Sequence, residues 1–80
     1  MIVTVEISLY PLTGDFTNPV NLFIDKISGE DVSIEVGRMS TIIVGEYKKI
    51  MSILTESMGE LMVEYASVFN LKISNACPVA

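Results

Sequence analysis

The apolar residues of this chain change their repeat four times in eighty residues, and that changing period limits its fold more than any other feature. Residues 2–10, IVTVEISLY, alternate: Val3, Val5, Ile7 and Leu9 share one side, Thr4, Glu6, Ser8 and Tyr10 the other. A period of two marks a strand with one buried and one polar face. Pro11 is expected to end it, with TGDFTN as loop. Asn18-Pro19 then reads as N-cap and first helical residue, followed by Val20, Phe23, Ile24 and Ile27 at helical spacing and Gly29 as the stop. Val32, Ile34 and Val36 alternate again, Gly37-Arg38 predicts a tight turn, and residues 39–44 a third strand paired to the second as a hairpin.

From Glu46 to about Ser67 the period returns to that of a helix, with Tyr47, Ile50, Met51, Leu54, Met58, Leu61, Met62 and Tyr65 on one face. Gly45 is read as the stop of the preceding strand. Gly59, costly inside a helix, predicts a bend or close packing. Phe69, Leu71 and Ile73 alternate with Asn70, Lys72 and Ser74 as a fourth strand before the Asn-Ala-Cys-Pro tail. The order β-α-β-β-α-β, with right-handed crossovers, predicts an α+β ferredoxin-like sandwich. Its four-stranded antiparallel sheet has both helices on one face. The chain is expected to be one domain, residues 1–80, with no repeat or linker.

On this fold the first and last strands are expected side by side at the centre of the sheet. Their outward residues, Thr4, Glu6, Ser8 and Tyr10 beside Asn70, Lys72 and Ser74, then form one polar face. That face is either solvated or packed on a ligand or another subunit.

Composition excludes several functions. A net charge of −5 with five Lys and Arg residues makes nucleic acid a poor partner, because no basic patch displaces counterions. No uninterrupted apolar run exceeds three residues, as in Ile42-Ile43-Val44, so no transmembrane helix is expected. The start, MIVTVE, lacks the basic region of a signal peptide, and the lone Cys77 cannot form an internal disulfide. Together these predict a cytoplasmic protein. There is no histidine, hence no Ser-His or Cys-His pair and no common zinc site, and no P-loop or GxGxxG. The sole arginine, Arg38, lies in a hairpin turn, which disfavours an acylphosphatase-like enzyme of this fold. Half of the residues are apolar, which suits either a greasy core or a homo-oligomer interface.

Three stretches, VEISLYPLTGDF, GRMSTIIVGE and KISNACP, together resemble the thiamine-binding, YkoF-like family of small ferredoxin-like proteins, over residues 3–78. The resemblance implies a non-catalytic protein that binds thiamine or its hydroxymethylpyrimidine half in uptake, salvage or sensing, without a further cofactor or metal, as a homo-oligomer (dimer or tetramer). The alternative is an oligomerisation or regulatory module with no such ligand. Carried onto this chain, the family's pocket implies Ser8, Tyr10, Asp15, Phe16, Met39, Ser40, Thr41, Glu46, Ser74 and Asn75 as ligand-binding residues. An aminopyrimidine needs donors and acceptors along one edge, as Ser8, Ser40, Thr41 and Asn75 would offer. A carboxylate such as Asp15 or Glu46 would accept from its amine, and Phe16, Tyr10 and Met39 would wall the ring. Adjacent strand residues point to opposite faces, so only one of Ser40 and Thr41 is expected on any one surface.

Overall fold

The computed structural model describes residues 1–12, 14, 17–28 and 31–76. Their order is β1 (Ile2–Pro11), α1 (Thr17–Ile27), β2 (Ser33–Val36), β3 (Thr41–Glu46), α2 (Tyr47–Glu64) and β4 (Ser67–Ser74). The strands form one antiparallel sheet in the order β2-β3-β1-β4. With two helices packed on one face, this is the ferredoxin-like sandwich that the alternating periods predict. No helix among the described residues is long and apolar enough to cross a membrane.

The core lies between sheet and helices. Val3, Val5 and Ile7 of β1 and Ile43 of β3 meet Phe23 and Ile27 of α1 and Ile50, Leu54 and Leu61 of α2, all buried. Phe23 tilts against Phe69 of β4 with ring centroids 5.3 Å apart, which ties α1 to the last strand. α1 packs on β1 and α2 on β3. The helix-side face of β4 is therefore only partly covered: Phe69 reaches the core, while Leu71 and Ile73 are 37% and 48% exposed.

Several boundaries differ from the sequence reading, each for a local reason. β1 and β4 are neighbours as expected, but the centre of the sheet is β1 with β3, and β4 is an edge. Gly45 does not stop β3, because β1 extends its ladder: Val3 pairs with Gly45 and Ile2 with Glu46. A side chain at Gly45 would lie 2.8 Å from Val32 Cγ1, so glycine there admits Val32 to the core layer. The hairpin between β2 and β3 has four turn residues rather than two. Gly37 N–H donates to Ser40 O at 2.9 Å and Val36 pairs with Thr41, leaving Met39 and Ser40 in the turn.

β2 begins at Ser33 and β4 at Ser67, the latter through the Pro11–Ser67 pair. α1 begins at Thr17, which places Asn18 and Pro19 inside its first turn, where a missing N–H loses no helical bond. α2 ends at Glu64, because Tyr65 leaves helical geometry (φ −132°, ψ 127°) to enter β4. Its buried stripe is Ile50, Leu54, Ser57 and Leu61, with Ile53 packed beside it. Tyr47 and Met62, placed on that stripe by spacing, are exposed. Gly59 has no atom within 4 Å of where a Cβ would stand, so close packing does not explain it.

Candidate functional site

The face of the sheet away from the helices holds the candidate site. Register decides what appears there: Thr4 pairs with Ser74, Glu6 with Lys72, Ser8 with Asn70 and Tyr10 with Val68 across β1 and β4. On its other side β1 pairs Thr4 with Val44 and Glu6 with Ile42. Directly opposed residues share a face, so Ile42 and Val44 join the polar residues. The run Ile42-Ile43-Val44 is thus apolar on both faces of the sheet, Ile43 in the core and its two neighbours half-buried opposite. The open face is amphipathic, not uniformly polar as the two outward-facing strands alone implied.

At the hairpin end of this face Glu6, Ser8, Tyr10, Met39, Ser40, Asn70 and Lys72 line a shallow cavity of about 340 Å³. That volume falls within the roughly 300–1,000 Å³ usual for small-molecule sites. Ser40 Oγ donates to Glu6 Oε2 at 3.0 Å, and Lys72 Nζ lies 3.9 Å from Glu6 Oε1. Ser8 Oγ donates to Met39 O at 3.3 Å, which holds the turn over β1. A half-buried carboxylate thus sits beside two hydroxyls, an amide and an ammonium, with a phenol ring and a thioether at the rim. This arrangement can hydrogen-bond one edge of a small planar molecule and cover its face.

Ser40 and Thr41 part company here. Thr41, 7% exposed, pairs with Ile7 and faces the helix layer. It contributes to a second cleft of about 130 Å³, with Ile7, Phe23, Ile24 and Val36 among its walls. That cleft is below the usual size of a ligand site.

Four of the ten candidate residues, Ser8, Tyr10, Met39 and Ser40, meet at the open-face cavity. Asn75 and Ser74 line a different hollow at the other end of the strands, with Met1, Tyr47 and Ile73, and Ser74 also borders an open-face hollow with Glu6 and Lys72. Ser74 Oγ accepts from Ala76 N–H at 3.0 Å, and Asn75 Nδ2 donates to Met1 Sδ at 3.7 Å. Glu46 is at that end as well, where its carboxylate accepts from Lys49 N–H at 3.0 Å as the N-cap of α2 and lies 4.0 Å from the N-terminal ammonium. From the Thr4–Ser74 pair to Tyr10 is six residues along β1, about 20 Å, too far for one small ligand to touch both groups. Asp15 and Phe16 lie outside the described residues.

Glu6, Asn70 and Lys72 are the cavity residues that the family resemblance did not supply. Alternation already put all three on the polar face, and only the hairpin turn, folding Met39 and Ser40 over Glu6 and Ser8, makes that stretch of the face a cavity.

No family model matches the chain, and none of the curated proteins does. Among solved structures, a candidate thiamine biosynthesis/salvage protein of Thermotoga maritima is 30% identical, with a TM-score of 0.84 over 92% of this chain and 83% of that one. The chain belongs to that protein's family. Two further structures share the fold at 22% identity. They are the hypothetical protein MJ1052 of Methanocaldococcus jannascii (TM-score 0.84, covering 99% of this chain and 84% of that one) and a domain of unknown function, DUF77, from Bacillus cereus (0.81, 100% and 83%).

Proposed function

We propose that this protein binds thiamine or its hydroxymethylpyrimidine half without transforming it, in the open-face cavity at the hairpin end of the sheet, as a cytoplasmic homo-oligomer. The observation that carries this reading is the convergence of Ser8, Tyr10, Met39 and Ser40 around Glu6 in a cavity of ligand size. Membership in the family of the Thermotoga maritima protein supports the ligand class. The carboxylate suited to accept from an aminopyrimidine is then Glu6, already oriented by Ser40, in place of Glu46, which caps a helix at the far end. Tyr10 and Met39 cover the ring, and Ser8 and Asn70 supply donors and acceptors around it. The chain has no histidine to act as a base, and nothing in the cavity pairs a nucleophile with one. A bound ring would be held, stored or passed on.

Isothermal titration of the folded protein with thiamine and with hydroxymethylpyrimidine tests the reading. Saturable heat with at least one of them is expected, and Glu6→Gln should weaken binding of the aminopyrimidine by about 1–3 kcal/mol, since a charge-assisted acceptor becomes a neutral amide. Silence with both ligands would leave the oligomerisation module as the better account.

A further inference from the structure

Arg38, the sole arginine, and Thr41 take no part in the open-face cavity. Both line the helix-side cleft instead. The hairpin puts them there. Val36 pairs with Thr41 where the strands meet, Gly37 N–H donates to Ser40 O at 2.9 Å, and Arg38, exposed in the turn, borders the mouth of the cleft. A side chain at Gly37 would stand 2.8 Å from Ser40 O, so a turn this tight is closed on glycine.

The fold leaves the polar groups of both residues without a partner. The chain carries ten Asp and Glu residues, yet the Arg38 guanidinium forms no ion pair or hydrogen bond with any described residue. No carboxylate among the described residues lines the cleft either. Thr41 is 7% exposed, and its hydroxyl bonds to no described residue. Burying a hydroxyl unpaired is unfavourable. Every described polar side-chain atom that is sealed from solvent has a partner, so the Thr41 hydroxyl opens into the cleft. The remaining walls, Ile7, Phe23, Ile24 and Val36 among them, are apolar.

We propose that this cleft binds a short 2-oxo or 2-hydroxy carboxylate. Arg38 clasps the carboxylate at the mouth, Thr41 hydrogen-bonds the second oxygen inside, and the alkyl end packs on the apolar walls. Each part of the ligand answers a feature of the cleft. A guanidinium presents its donors as a planar fork that matches a carboxylate. A phosphate or sulfate would satisfy Arg38 but turn its other oxygens towards Ile7 and Phe23, where nothing bonds them. A plain alkanoate would suit those walls and leave the Thr41 hydroxyl unpaired. Only an acid with a further oxygen beside its carboxylate satisfies the guanidinium, the hydroxyl and the hydrocarbon together.

Size agrees with this class. The cleft, about 130 Å³, is the share of roughly four water molecules. That is too little for an aminopyrimidine and enough for an acid of about three carbons, and it is small enough for one such ligand to reach both polar groups.

Isothermal titration of the full chain with sodium pyruvate and with sodium propionate, using circular dichroism as the folding control, tests the proposal. Pyruvate is expected to bind saturably and propionate about tenfold or more weakly, because a site built to bond an oxygen discriminates against the analogue that lacks it. Arg38→Gln should weaken pyruvate binding about tenfold or more. Lys48→Gln removes the same charge from a residue that does not line the cleft, and should bind pyruvate as the wild type does. Thr41→Val should no longer distinguish the two acids, while Thr41→Ser, which keeps the hydroxyl, should still prefer pyruvate. Absence of pyruvate binding, equal affinity of the wild type for both acids, or equal losses in Arg38→Gln and Lys48→Gln would each overturn the proposal. Neither titration contains thiamine or its pyrimidine, so the outcome is independent of what the open-face cavity binds.

Discussion

Ser40 and Thr41 are chain neighbours whose hydroxyls work on different sides of the sheet. Ser40, the last residue of the hairpin turn, donates to Glu6 on the open face, while Thr41 begins β3 and is buried against the helix layer. The two therefore make opposite predictions for a ligand in the open-face cavity. Ser40→Ala frees Glu6 and removes a hydroxyl from the wall, and is expected to weaken binding by about 1–3 kcal/mol in a calorimetric titration. Thr41→Val keeps the shape of a side chain that does not face that cavity, and affinity should stay at the wild-type value. A loss of affinity confined to Thr41→Val would move the site to the helix-side cleft. Alternation made it legible that the two hydroxyls diverge. Which one meets Glu6 was not legible, because it depends on a turn of four residues where Gly37-Arg38 alone suggested two.

At the scale of elements, Glu46 is accounted for by α2. Its backbone is extended (φ −69°, ψ 135°) and its side chain accepts from Lys49 N–H, the geometry of an N-cap. Glu46→Ala is expected to cost about 0.5–2 kcal/mol in denaturant unfolding and to leave ligand affinity unchanged. Farther along, α2 is tied to α1 by a hydrogen-bonded ion pair between Lys26 and Glu60. The hydrogen bond to Glu60 raises the Lys26 pKa above its ordinary 10.5, the carboxylates of Glu64 and Glu56 adding to the effect against some desolvation. A raised ammonium pKa stabilises the folded state fully below the unfolded value and ceases to do so as pH rises through the folded one. The melting-temperature difference between wild type and Lys26→Met should therefore be level at neutral pH and shrink once the pH climbs past 10.5. A difference that stayed constant through that range would show that the ion pair with Glu60 does not supply it.

For the whole molecule, net charge sets the long-range field that a ligand meets. A chain of charge −5 draws cations towards it over distances that salt shortens to about 8 Å at physiological ionic strength. Thiamine carries a cationic thiazolium and hydroxymethylpyrimidine does not. Raising the salt concentration should therefore weaken the binding of thiamine while barely changing that of the pyrimidine. Equal salt sensitivity of the two would mean that the long-range field contributes nothing to recognition.

By itself the sequence determined the order and type of the six elements, the separation of core-facing from outward residues on β1, and the acidic charge. These are local properties: side-chain period follows from backbone geometry within each segment, and charge from composition. Its three short blocks resemble thiamine-binding proteins, and of that resemblance the kinship with a candidate thiamine biosynthesis/salvage protein is shown, not the YkoF-like assignment. Only the tertiary structure decided that β4 is an edge, that Ile42 and Val44 share the open face with Glu6, and that Glu6 rather than Glu46 stands in the cavity. Each of these depends on which strand lies beside which, and in what register. Pairing between residues far apart in the chain leaves no periodic trace in any one of its segments.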